Sequence, residues 1–297
     1  MSEESTPDEE SRPLARVDRA KLNAARLEEE NKLQSAPVHN TRILLTEDDP
    51  INQEVASVML ESMGYEVIIA NNGADAVDTI LQNNDIDLIL MDCQMPVMDG
   101  FNATRAIRDK NVDTPIVALT ANSSKGDKDL CLDAGMDDYL TKPIYQTDLS
   151  RVVQQWVSKT SDRSDNLNSC NALATDNHRE DTMHVEIDQT ALDAIKTLQR
   201  PGKPDILARI VNMYIEKSPE LISAIQEGVS ANDCDKVKMA AHTLKSSSAY
   251  VGASALADLC SRVESRAAND ELTEATDDIQ NLSTGFDSVV NQIKQYA

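Results

Sequence analysis

The sequence predicts an α/β doubly wound, parallel five-stranded sheet followed by an all-α helical bundle. Three observations carry this. Between Thr41 and about residue 158, short apolar runs alternate strictly with helical patterns, five times over. From Val185 onward no strand signal occurs and helical patterns follow one another across short breaks. Between the two lies a polar stretch rich in Asn, Asp and Ser. Strict strand–helix alternation implies parallel strands joined by right-handed crossovers, with helices on both sheet faces. Helices joined by short loops imply antiparallel neighbours. The 297 residues leave room for about two domains.

Taken in order, residues 1–40 read as an acidic and polar tail, with five acids in the first ten positions and a loose, narrow helical stripe over Leu14–Leu33. RILLT is the first strand and ends at Glu47, Asp48 and Asp49. Pro50 opens a helix through Met63, as a proline in a first turn does, and Gly64 closes it. YEVIIA is the second strand, and a helix runs from about Ala74 to Leu81. IDLILMD is the third strand, bounded by Pro96, Asp99 and Gly100, with a helix over Asp99–Asp109. PIVALT is the fourth strand, followed by a helix ending at AGMDD. DYLTKP is the fifth, and an amphipathic helix covers Gln146–Val157.

In such sheets ligands bind beyond the C-terminal strand ends. Those ends carry Glu47 and Asp48, Asp92, Thr120 and Lys142. An aspartate closing a buried strand is costly unless a cation meets it. Crowded carboxylates raise one another's pKa, and an all-oxygen set favours a hard divalent ion such as Mg²⁺. Taken singly each residue has a plain alternative: Asp48 or Asp49 caps the helix opened by Pro50, and Thr120 caps the next. Lys142 precedes Pro143, which favours extended geometry and leaves a cis bond open.

The segments ILLTEDDPINQ, MDCQMPVMDG, ALTAN and DDYLTKP together resemble a response-regulator receiver domain over residues 41–158. The resemblance implies Asp92 as phospho-acceptor. It implies Mg²⁺ held by Glu47, Asp48, Asp92 and the backbone carbonyl of Gln94. Thr120 would hydrogen-bond the phosphoryl group, Lys142 would pair with it, and Tyr139 would be an aromatic switch. Asp49 departs from the Asn frequent in such domains of hybrid kinases.

Residues 159–184 read as a flexible linker. His178 and His184 lack metal-site spacing and receive no role. In the bundle, helices are expected over Ile187–Leu198, Asp205–Glu216 with Pro219–Val229, Cys234–Tyr250, Ala253–Ala267 and Glu271–Tyr296. On the Cys234–Tyr250 helix, Val237, Ala241, Leu244 and Ser248 form a core stripe, while Lys238, His242, Lys245, Ser246 and Ala249 fall on another face. Periodicity alone makes His242 an exposed residue of a solvated face. AHTLKSSSAYVGASALADLCSRVE, however, resembles a histidine-containing phosphotransfer (HPt) domain over residues 185–297, with Ser246 where that family often has Gly. The resemblance implies His242 as a second phospho-acceptor, Lys245 as its electrostatic support, and a bundle without catalysis of its own.

A formal net charge of −23 argues against non-specific nucleic-acid or anionic-membrane binding. No apolar run reaches a membrane span, and the acidic N-terminus is unlike a secretory signal. Five Cys without a CxxC pair read as reduced thiols of a cytoplasmic protein. The expected function is a two-component phosphorelay intermediate, resembling the C-terminal part of hybrid sensor histidine kinases. A sensor histidine kinase would be the donor and a downstream response regulator the acceptor, with no kinase domain in the chain and no nucleic-acid or membrane partner. Alternatives are a remnant of a hybrid kinase, a phosphorylation-gated scaffold, and an aspartyl phosphatase, which wants a D-x-D that strand one lacks.

Overall fold

The computed structural model describes residues 41–83, 85–121, 125–161 and 186–297. The expected tail helix and the linker lie outside these residues, apart from the linker's first three positions, where the last helix of the sheet region continues. In chain order the elements are β1 (Arg42–Thr46), α1 (Pro50–Ser62), β2 (Glu66–Ala70), α2 (Gly73–Gln82), β3 (Leu88–Asp92), α3 (Gly100–Arg108), β4 (Ile116–Thr120), α4 (Lys125–Ala134), β5 (Asp138–Thr141) and α5 (Gln146–Ser161). The strands pair in parallel in the order β2-β1-β3-β4-β5. The order reverses between β1 and β3, which places Glu47, Asp48 and Asp92 at the switch point where such sheets bind ligands.

Residue type explains the layering. All five residues of β3 and of β4 are buried, as continuous Leu, Ile and Val runs require, whereas β2 and β5 at the edges are partly exposed. Alternate side chains face opposite sides. Ile43, Leu45, Leu88 and Leu90 pack with α1 and α5, and Leu44, Ile89 and Met91 pack with Ala76, Ile80, Ala103 and Ile107 of α2 and α3. Local chemistry sets the helix starts: Asp49 Oδ1 accepts from Ile51 N–H, Asn72 caps α2 and Asp99 caps α3. Gly100 is required where α3 passes β3. A Cβ there would stand 2.1 Å from the Asp92 carbonyl oxygen.

The C-terminal region contains α6 (Gln189–Thr197), α7 (Ile206–Ala231), α8 (Cys234–Tyr250), α9 (Ser254–Ala268) and α10 (Thr276–Ile293), with 3₁₀ turns at Leu272–Ala275 and Lys294–Tyr296. Helices α7 to α10 pack in sequence and α10 returns to α7, closing a four-helix bundle with α6 against α7 and α8. The longer helical region expected across Pro219 is one helix of 26 residues. An internal proline costs a helix about 3 kcal/mol. Here Tyr214 and Ser218 before it and Ile222 and Ile225 after it are all buried, and that packing carries the helix through. Tyr214 meets Phe286 with ring centroids 5.8 Å apart and shares a 2.9 Å hydrogen bond with Ser248. Gly252, at φ +76°, turns the chain after α8 and accepts from Asp188 N–H at 2.9 Å.

The bundle lies against the sheet domain. Helix α1 packs on α7 and α8. Val55 and Met59 of α1 and Ile144 of the β5–α5 turn belong to one buried apolar cluster with Ile195, Leu198, Ile206, Leu207 and Tyr250. The Ile144 N–H donates to the Tyr250 hydroxyl at 2.9 Å. Among the described residues, no helix is long and apolar enough to cross a membrane.

Candidate functional site

Four strand ends build the first half of the site. Glu47 and Asp48 follow β1, Asp92 ends β3, Thr120 ends β4 and Lys142 follows β5. Carboxylate oxygens of Glu47, Asp48 and Asp92 all lie within 4.8 Å of one another. The Lys142 ammonium sits 2.6 Å from Glu47 Oε2 and 2.6 Å from Asp92 Oδ2. Its backbone is fixed by a hydrogen bond from Lys142 N–H to the Thr120 carbonyl at 2.7 Å, and the Lys142–Pro143 bond is cis. Asn52 donates to Glu47 Oε1 at 2.9 Å, and Gln94 N–H to Asp92 Oδ1 at 3.2 Å. Asp49 caps α1, as one alternative reading of the sequence held, while Asp48 joins the carboxylate cluster.

Electrostatics follow from burial. Asp92 is 1% exposed. Desolvation, and then the neighbouring Glu47, push its carboxyl well above the usual range, with Lys142 opposing. The same two causes push Asp48 up to about 6 and Asp49 up to about 7. Burial works against the charge of Lys142, but Asp92 and Glu47 on either side hold its pKa above the ordinary value. Three carboxylates against one ammonium leave an excess of negative charge on hard oxygen donors. That donor set fits Mg²⁺. Tyr139 is half-buried beside this rim, with Lys128 Nζ 5.4 Å from its ring centroid.

The second half of the site corrects the sequence reading. His242 is 4% exposed, not solvated. The face of α8 that carries it also carries Ser246, Ala249 and Tyr250, and the sheet domain meets this face at Tyr250 through Ile144. Its Nδ1 lies 2.8 Å from Glu264 Oε1, and Lys245 Nζ lies 2.5 Å from Glu264 Oε2. With Nδ1–H donating to Glu264, the imidazole lone pair is on Nε2. That Nε2 is buried and has no protein partner. Burial is the main cause holding the His242 pKa down. Glu264 opposes it, while Lys142 and Lys245 push the same way as burial. Burial also disfavours the Glu264 carboxylate, but hydrogen bonds from His242 and Lys245 hold its pKa below the usual range.

Sequence reasoning missed Glu264, Tyr250 and Asn52. Glu264 gives no local signal, since a lone glutamate on a polar helix face is ordinary and only the packing of α9 on α8 reveals it. Tyr250 had a signal: it lies eight residues from His242 on the same helix face.

Residues 43–154 match the family model for a response regulator receiver domain, and residues 209–295 match that for an Hpt domain. The chain joins a receiver domain to an Hpt domain. It is similar to the sensor protein GacS of Pseudomonas syringae pv. syringae, with 34% identity over 233 residues, covering 75% of this chain and 24% of that protein. Hybrid signal transduction histidine kinase B of Dictyostelium discoideum is 46% identical over 121 residues, 36% of this chain and 6% of the kinase. The chain thus spans about a quarter of the GacS proteins it matches. Among solved structures, the receiver domain of the sensor histidine kinase PA1611 of Pseudomonas aeruginosa, with a coordinated magnesium ion, is 46% identical. It covers 40% of this chain and 98% of its own, with a TM-score of 0.38. A receiver followed by an Hpt domain is the arrangement of phosphorelay modules in hybrid kinases.

Proposed function

We propose that the chain is a cytoplasmic phosphorelay intermediate in which a receiver spanning residues 41–158 serves an HPt bundle spanning 185–297 through the linker at 159–184. The observation that carries this reading is the buried Nε2 of His242, without a protein partner, on the helix whose Tyr250 meets the receiver at Ile144. A sensor histidine kinase donates. An Asp92 oxygen attacks its phosphohistidine, the P–N bond breaks and an acyl phosphate forms. His242 Nε2 then attacks that phosphorus, the P–O bond to Asp92 breaks and the carboxylate is restored. A downstream response regulator takes the group from His242.

Position supports a part for each residue. Lys142 pairs with the phosphoryl oxygens and the Thr120 hydroxyl hydrogen-bonds them, a fixed array that needs no reorganisation. Tyr139 reports the state of Thr120 through β5, the partly exposed edge strand. Glu47, Asp48, Asp92 and the Gln94 carbonyl would hold Mg²⁺, which when bound neutralises charge on the transferring group. Glu264 keeps the imidazole in its reactive tautomer, Lys245 supports the added charge, and small Ser246 leaves room for a receiver. The cytoplasmic assignment rests on the four described cysteines, all free thiols. The test is the full chain incubated with a phosphorylated histidine kinase and Mg²⁺. The expected products are an acyl phosphate on Asp92 and phosphohistidine on His242, both lost in Asp92→Asn. Label on His242 that survives Asp92→Asn contradicts the route.

A further inference from the structure

The seam between the two domains has a charged edge whose spacing carries information. On α1 of the receiver, Glu54 and Glu61 stand seven residues apart, two helical turns, on one face. Opposite them, at the α6–α7 corner and on α7 of the bundle, stand Arg200 and Arg209. Arg200 bonds twice, through Nη1 to Glu61 Oε2 at 3.2 Å and through Nη2 to the Val58 carbonyl at 3.1 Å. Arg209 pairs with Glu54. The same four charged residues border a cavity of about 450 Å³ that also holds Lys203. Inside this edge lies the apolar cluster of Val55, Met59, Leu198 and Tyr250.

The apolar middle supplies contact with little selectivity, since many receivers can present a Val or a Met. The edge is different. Half-exposed ion pairs add a fewfold to affinity at most, but a like charge placed there repels, so such pairs select partners and speed the encounter. His242 faces one receiver at a time. A foreign receiver must therefore seat its first helix where α1 now lies, against both arginines.

We propose that Arg200 and Arg209 are the residues by which this bundle selects receivers. The partner they fit is a receiver domain whose first helix carries carboxylates seven residues apart, at the positions of Glu54 and Glu61. This rests on the reading of His242 as the acceptor, and the experiment separates the two.

The full chain is treated with diethyl pyrocarbonate, which acylates an accessible imidazole nitrogen, and labelling of His242 is followed by peptide mapping. The wild-type chain is protected. The chain with Arg200→Glu and Arg209→Glu labels about tenfold faster, and adding Glu54→Arg and Glu61→Arg restores protection. Equal labelling in all three overturns the proposal. In a second arm, a chain with Asp92→Asn, Arg200→Glu and Arg209→Glu is the acceptor. The donors are phosphorylated His242→Gln chains with native or arginine-bearing α1. The arginine-bearing donor transfers about tenfold faster, and transfer from both donors at equal, measurable rates overturns the proposal. If labelling follows the charge pattern while no pairing delivers phosphoryl to His242, the relay reading falls and the docking assignment stands.

Discussion

The two proposed acceptors, Asp92 and His242, are held in contrasting ways. Asp92 is surrounded by groups from four strand ends of its own domain. It is gripped by Lys142 at 2.6 Å and crowded by Glu47 and Asp48. His242 rests on one helix, oriented by one carboxylate, Glu264, on the next. Its own domain supports it through Lys245, which Glu264 already engages. The receiver meets the same helix at Tyr250, whose hydroxyl accepts from Ile144 N–H. Under the proposed function the receiver would carry the chemistry, and the bundle an aimed nucleophile and a docking face.

Breaking the receiver half should have the largest effect. Asp92→Asn removes the nucleophile, and phosphoryl uptake is expected to fall about a thousandfold or more on both residues, read by acid-urea or phosphate-affinity gels. Lys142→Met keeps the length of the side chain and removes the charge. Uptake by Asp92 should drop about a hundredfold, as for loss of one fixed donor to a developing charge. A drop under about threefold would mean that Lys142 only neutralises the carboxylates.

Breaking the bundle half should cost less. Glu264→Ala frees the imidazole to place its proton on Nε2, so transfer to His242 should slow about tenfold while uptake by Asp92 is unchanged. Glu264→Gln keeps an acceptor oxygen and most of the rate. Nitrogen-15 NMR of His242 separates this from a folding defect, because the tautomer should change in the alanine variant alone. At the seam, Tyr250→Phe leaves the Ile144 N–H without its acceptor. About 1 kcal/mol of docking is lost, a fewfold rise in pyrocarbonate labelling of His242.

The smallest expected effect concerns pH and metal. Asp48, at about 6, is raised in the folded chain, and Asp92 is raised too. A raised carboxyl binds its proton more tightly folded than unfolded. For Asp48 the cost is therefore absent below about pH 4 and complete above about pH 7. Mg²⁺ must displace those protons. Its stabilisation, read as a shift in Tm of a few degrees, should be larger at about pH 8 than at about pH 5.5. Equal shifts would remove these carboxylates from the metal site.

The fold was legible because its signals are local. Five apolar runs with Pro50, Gly64 and Gly100 between them define the strand–helix order, and the caps at Asp49, Asp99, Asp188 and Asp233 mark the helix starts. The receiver residues were legible for the same reason, since a parallel sheet gathers its strand ends whatever the loops do. The environment of His242 was not. A helical period reports which face meets the helix's own domain, and that face was read correctly as Val237, Ala241, Leu244 and Ser248. It carries no information about a second domain arriving on the opposite side. Pro219 did not hide the helix that contains it: the apolar pattern on both sides was read as one longer helical region, and Tyr214, Ile222 and Ile225 are buried around the proline.

The central claim is that His242 is seated on its own receiver. The most direct measurement is the first-order rate of phosphoryl transfer from Asp92 to His242 in the phosphorylated full chain across a wide dilution series. A docked pair predicts a rate independent of protein concentration, unaffected by added His242→Gln chain. A rate that falls in proportion to dilution would place the acceptor histidine on another molecule and contradict the seam described here.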